Sequence, residues 1–135
     1  MSFIKDKLFW LFVLLGAIAV FILSLIKTNY ALFWYLNSPL QLFNLIIVSA
    51  VVEEIIFRGA IFGLLVKKLN SKQTIIITSI LFSIAHIFLH SPLWALLVFF
   101  PGILYGVLRD SHGTPVSAIF LHLIYNLMYF SLYEF

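Results

Sequence analysis

From Leu8 to Ile26 the chain carries no charge for 19 residues, and Lys5, Lys7 and Lys27 bracket the run. A run of that length crosses the hydrocarbon core of a bilayer as one helix. It exceeds the roughly 7 to 15 apolar residues of a cleaved leader, and no small-x-small site follows closely, so the pattern predicts a retained first span. The short aromatic string at 30–36, YALFWYL, suits the outer interface. Beyond it one kind of start recurs three times. Ser38-Pro39, Ser91-Pro92 and Thr114-Pro115 each put a hydroxyl in the cap position and proline in the first helical turn. The apolar runs they open extend to about Val66, to Leu108 and to near Leu132, and between the first two lies another, Gln73 to Leu89, with Ser71 as its candidate cap. Pro101-Gly102 predicts a kink in the fourth run. These elements make an all-α polytopic membrane bundle of about five transmembrane helices, a single domain over residues 1–135 with no linker or repeat.

Composition agrees with that architecture. Hydrophobic residues make up 64% of the chain and charged residues 10%, whereas soluble domains run near 45 to 50% and about 25%. Aromatic residues at 18% exclude a disordered chain. Without cysteine there is no thiolate nucleophile, and any metal would have to use His and carboxylate ligands. The net charge of +3 does not point to nucleic acid, because the cations sit at the ends of apolar runs. Lys5, Lys7, Lys67, Lys68, Lys72 and Arg109 fall on one side of the predicted bundle and only Lys27 on the other. The positive-inside rule therefore places the N-terminus in the cytoplasm and the C-terminus outside.

Three charges violate the pattern, Glu53, Glu54 and Arg58 in the string VVEEIIFRG. A charge at the centre of a span costs about 2.5 to 3.5 kcal/mol to insert, so three cost on the order of 8 to 10 before pairing. On an α-helix Glu54 and Arg58 lie about 40° apart, a favourable i, i+4 pair, while Glu53 lies about 140° from Arg58. Glu53 is thus left without a helix-mate, and a lone carboxylate in low dielectric must be protonated, meet a cation or metal, or sit beside water. Acid/base chemistry uses each of these states. His86 in the third run, and His122 with Asn126 one turn later in the fifth, are the candidate partners. At ~1.5 Å per residue Glu53, His86 and Asn126 lie about 17 to 21 Å from the cytoplasmic helix ends, with His122 shallower at about 11 Å. Other polar and aromatic positions have plainer readings: His90 as interfacial, His112 as solvated in a polar turn at 109–113, Gly102 and Gly106 as a helix-packing GxxxG, and Trp10, Trp34 and Trp94 as interface anchors.

Taken in order, Glu53-Glu54-x-x-x-Arg58, Phe82-x-x-x-His86 and His122-x-x-x-Asn126 resemble the CPBP family, the CAAX-protease and bacteriocin-processing (Abi) intramembrane proteases. The string from Phe99 through Gly102 and Gly106 to His122 is similar to the segment joining that family's later motifs, so the resemblance covers roughly residues 40–130. It implies that Glu53 is the general base for water and that His86 holds or polarises this water. His122 and Asn126 would face the developing oxyanion or help bind water, with Glu54 and Arg58 in support. It also implies a multi-pass protein of a bacterial or archaeal cell membrane, whose partners are a membrane-associated protein or peptide substrate and the lipid bilayer, with no nucleic acid. The expected reaction is metal-free and without cofactor. Zinc held by Glu53, His86 and His122 is the alternative, since those three would form a site with one open position. The chain is small for this family, so a homo-oligomer is one way its cavity would close. Two other functions compete with the endopeptidase: a non-catalytic immunity or assembly protein using the same buried polar network, and ion transport. The latter ranks last because the polar residues cluster at one depth.

Overall fold

The computed structural model describes residues 2–25, 39–88 and 91–133, most of them helical, with no strand among them. A short 3-10 turn, Ser2–Lys5, leads into α1, Lys7–Leu25. Asp6 caps α1 by accepting from the Leu8 amide at 2.9 Å. The second rod, α2, is continuous over residues 39–65 but changes register along its length. It is α-helical at Pro39–Phe43, Ser49–Glu54 and Phe62–Leu65, and π-helical at Asn44–Val48 and Ile55–Ile61. Then follow α3, Ser71–Ile87, α4, Pro92–His112, and α5, Val116–Tyr133. The five predicted runs are thus five rods. The YALFWYL string, Lys27, Trp34, Ser38 and His90 lie outside the described residues.

Three boundaries differ from the expected ones. Asn70, not Ser71, caps α3: its side chain accepts from the Gln73 amide at 3.0 Å while Gln73 Oε1 accepts from the Asn70 amide at 3.3 Å, a reciprocal box that draws Ser71 into the helix. At its other end α3 stops at Ile87, so His86 lies in the last turn. The predicted turn at 109–112 is the last turn of α4, which ends only when Gly113 adopts φ +71°, a conformation that favours glycine. Ser91 caps α4 as expected, accepting from the Trp94 amide at 3.3 Å, and the helix continues through Pro101 without a break. His112 is not solvated in a loop. Its Nε2 lies 3.0 Å from Asp6 Oδ2, its Nδ1 3.0 Å from the Leu108 carbonyl oxygen, and the hydroxyl of buried Ser117 is 3.2 Å away. This pins the N-terminal turn against the α4–α5 junction.

Small residues set the helix spacing. A Cβ at Gly106 would stand 3.1 Å from Ile75 Cγ2, and one at Gly102 would stand 3.3 Å from both Ser79 Cβ and Arg58 Nη2. The GxxxG therefore packs α4 against α3, as expected, and the Ser83 hydroxyl adds a bond to the Ala95 carbonyl at 2.6 Å. On the other side α1 meets α5 where Gly16 receives the ring of Tyr125, whose hydroxyl donates to the Phe12 carbonyl at 2.6 Å. Polarity is distributed inside out. Trp10, Leu14 and Phe21 on α1, Val52 and Ile55 on α2, Ile76 and Ile80 on α3, and Leu93, Leu96 and Phe100 on α4 are exposed, while Glu54, Arg58, Thr74, Thr78, Ser79, Ser117 and His122 are buried. One described helix, α4, is long and apolar enough to cross a membrane alone; the apolar stretches Lys7–Leu23, Ser71–Ile87 and Val116–Phe130 are shorter.

Candidate active site

The site begins with the α-helical turn Ser49–Glu54 and the π segment directly after it. Glu54 and Arg58, four residues apart, pair as expected: Arg58 Nη1 lies 3.2 Å from Glu54 Oε1 with both side chains at 0% exposure. Two fully desolvated ions need further partners. Arg58 Nη2 donates to the Gly102 carbonyl at 2.7 Å, and the guanidinium lies 4.5 Å from the Phe82 ring centre and 5.3 Å from that of Tyr105. Glycine at position 102 is what admits the guanidinium, since a side chain would meet Nη2. Glu54 also does more than hold Arg58, because the same Oε1 lies 3.1 Å from His122 Nδ1. The expected helix-orienting role of Glu54 thus extends to a direct bond with a candidate catalytic histidine.

Glu53 faces away from Arg58 into a different environment. Its side chain keeps 26% exposure, yet Oε2 is buried and has no hydrogen-bond partner. That oxygen stands 3.8 Å from His86 Nε2 and 4.0 Å from His122 Nε2. Both histidines turn Nε2 toward it because Nδ1 is engaged elsewhere. His86 Nδ1 lies 2.8 Å from the Phe82 carbonyl oxygen, which can only accept, and His122 Nδ1 faces the Glu54 carboxylate. A ring that donates through Nδ1 presents a lone pair at Nε2. Two nitrogen lone pairs and a carboxylate oxygen therefore converge at separations too long for direct hydrogen bonds, the spacing that a bridging water fills.

The structure brings Glu53, His86 and His122 together, with Glu54 and Arg58 behind them. The helix-register estimate that put His122 a turn shallower assumed parallel, regular helices, and the packing of α5 against α2 removes the offset. Asn126 goes elsewhere. Its Nδ2 donates to the Leu45 and Ile46 carbonyls at 3.4 and 3.3 Å, in the first π segment, where the Ser49 hydroxyl also bonds the Leu45 carbonyl. Arg109, read from sequence as a topology charge, donates from Nε to the Arg58 carbonyl at 2.8 Å and lies over the Phe62 ring at 5.3 Å. It thereby holds the second π segment, whose widened turns change the ordinary carbonyl pairing. Among the described residues no three His or acidic side chains are arranged as a metal ligand set. Zinc, the alternative, would take one atom each of Glu53, His86 and His122 at about 2.0 to 2.2 Å.

A family model described as type II CAAX prenyl endopeptidase Rce1-like matches residues 5–128 of this chain. No match was found among curated proteins or among solved structures.

Proposed function

The chain belongs to the Rce1-like type II CAAX prenyl endopeptidase family, and from that premise we propose an intramembrane endopeptidase that hydrolyses a peptide bond of a membrane-associated protein or peptide with water activated by Glu53. The family consists of membrane proteases, and membership carries protease activity on a protein or peptide substrate in a membrane. The observation that carries the finer reading is the orphaned, buried Glu53 Oε2 with two histidine Nε2 atoms facing it.

In this reading a water lies between Glu53 and His86. Glu53 takes its proton as the oxygen attacks the scissile carbonyl, and His86 Nε2 holds the water in line. His122, held by the Glu54 carboxylate through Nδ1, keeps its Nε2 beside this water. The proton on Glu53 passes to the leaving amine as the C–N bond breaks. Asn126 acts by tying α5 to the backbone of α2 at residues 45 and 46. The reaction uses no cofactor. A polar network serving only to glue helices would pair Glu53 as it pairs Glu54, which disfavours the immunity or assembly reading. The five rods with apolar outer faces support five crossings, with the N-terminus cytoplasmic.

The test is cleavage of membrane-anchored peptides by detergent-purified protein, with and without chelator. The proposal expects an unchanged rate with chelator and a loss of at least about 100-fold in His86→Ala, which removes the ring that holds the water. A rate abolished by chelator and restored by zinc would instead move Glu53, His86 and His122 to the role of metal ligands.

A further inference from the structure

Tyr105 occupies a place that neither the motifs nor the reaction above assigns. It lies on α4, which supplies none of the candidate catalytic side chains, and at 2% exposure it is buried among them. Its ring is stacked on the imidazole of His122, with centres 4.9 Å apart and planes within 15°. Phe82 closes the arrangement edge-on, 5.9 Å from His122 at 80° and 6.1 Å from Tyr105 at 88°. The guanidinium of Arg58 lies 5.3 Å from the Tyr105 ring centre.

We propose that Tyr105 is a positioning residue for peptide hydrolysis, and that the face of its ring sets the plane of His122 so that Nε2 points at the Glu53 carboxylate. The inference rests on the endopeptidase reading. The need for such a residue follows from geometry. The hydrogen bond from His122 Nδ1 to Glu54 Oε1 fixes one atom of the imidazole, and the ring can still swing about that bond. Swinging would move Nε2, the atom on the far side of the ring and 4.0 Å from Glu53 Oε2. A flat partner lying nearly parallel removes that freedom, and the Phe82 edge blocks the swing from a second direction. The Tyr105 ring also lies 5.3 Å from the Arg58 guanidinium, which holds Glu54, so one ring contacts both the histidine and the ion pair behind it.

The test compares Tyr105→Phe, Tyr105→Leu and Tyr105→Met in the full chain, with Glu53→Gln as control. The ring is the working part, so Tyr105→Phe is expected to keep kcat within about threefold of wild type. Tyr105→Leu and Tyr105→Met are expected to lower kcat by about 10- to 100-fold with KM little changed, because a displaced reacting group loses that much. The bulkier methionine variant stands in should leucine fail to fold. The wild-type His122 Hε1 resonance is expected upfield from the Tyr105 ring current, with Tyr105→Phe retaining that position. Wild-type kcat in a folded leucine or methionine variant overturns the proposal. So does an equal loss in Tyr105→Phe, which would transfer the role to the hydroxyl, or a His122 resonance without ring-current displacement. If Glu53→Gln itself cleaves normally, the endopeptidase mechanism fails instead; inactive Glu53→Gln beside active Tyr105→Leu refutes only the role of Tyr105.

Discussion

Arg58 is the residue on which the buried side of the site depends. It contacts the Glu54 carboxylate, the Gly102 carbonyl and the Phe82 and Tyr105 rings at once, with no exposure. Removing one partner of a buried pair strands the other, so Arg58→Ala is expected to lower stability by about 3 to 5 kcal/mol. Arg58→Lys should recover only part of this, because an ammonium lacks the planar fork and the stacking face. Thermal unfolding in detergent measures both, and an Arg58→Ala protein as stable as wild type would contradict the account. Much of this was readable from the residues. Glu54 and Arg58 are four apart, and three charges in an apolar run carry an insertion cost that demands partners. Tyr105 carried no such mark among the chain's aromatic residues, since an aromatic in a membrane helix costs nothing to place. The bond from Glu54 to His122 joins residues 68 apart and exists only once α5 packs on α2.

At the scale of elements, the glycines of α4 decide how close the helices come. Gly102→Val would drive a branched side chain into Arg58, Ser79 and Phe82. Such overpacking costs about 1 to 3 kcal/mol, and here it is also expected to suppress cleavage by displacing Arg58. Gly63 has no neighbour within 4 Å of an added Cβ, so Gly63→Ala should leave activity unchanged and stability equal or up to about 1 kcal/mol higher. Unfolding curves and cleavage rates for the pair check this, and equal behaviour of the two variants would count against the packing argument. The GxxxG and the Ser91 cap were legible because each acts within one helix or through one recurrent contact. The π segments of α2 were not, since no Gly or Pro marks the Asn44–Val48 stretch. They are accompanied by contacts from distant side chains, Asn126 at Leu45 and Ile46 and Arg109 at Arg58. Arg109 was read as a topology charge because its sequence position at a helix end is where such charges also sit.

For the whole molecule, the outward apolar faces and the inward Glu, Arg, His, Ser and Thr side chains give a bundle with a bilayer for solvent. The distribution of cations predicts a cytoplasmic N-terminus. Because the native chain has no cysteine, Lys68→Cys and Asp110→Cys, both exposed, report topology directly. Membrane-permeant thiol reagents should label both in intact cells and impermeant ones neither; labelling of either from outside would reverse the orientation. The five helical rods were legible from run lengths alone, because hydrophobic length is a one-dimensional property. The convergence of three helices on Glu53 is three-dimensional, and the motif resemblance anticipated the partners without their distances.

The central claim is that Glu53 activates the water that hydrolyses the peptide bond. Cleavage of a membrane-anchored peptide by purified wild type and Glu53→Gln tests it most directly, because glutamine keeps the shape of the side chain and removes its basicity. The account predicts that a folded, membrane-inserted Glu53→Gln protein loses at least about 100-fold in kcat, the lower range for removal of a general base. Wild-type turnover by that variant would contradict it.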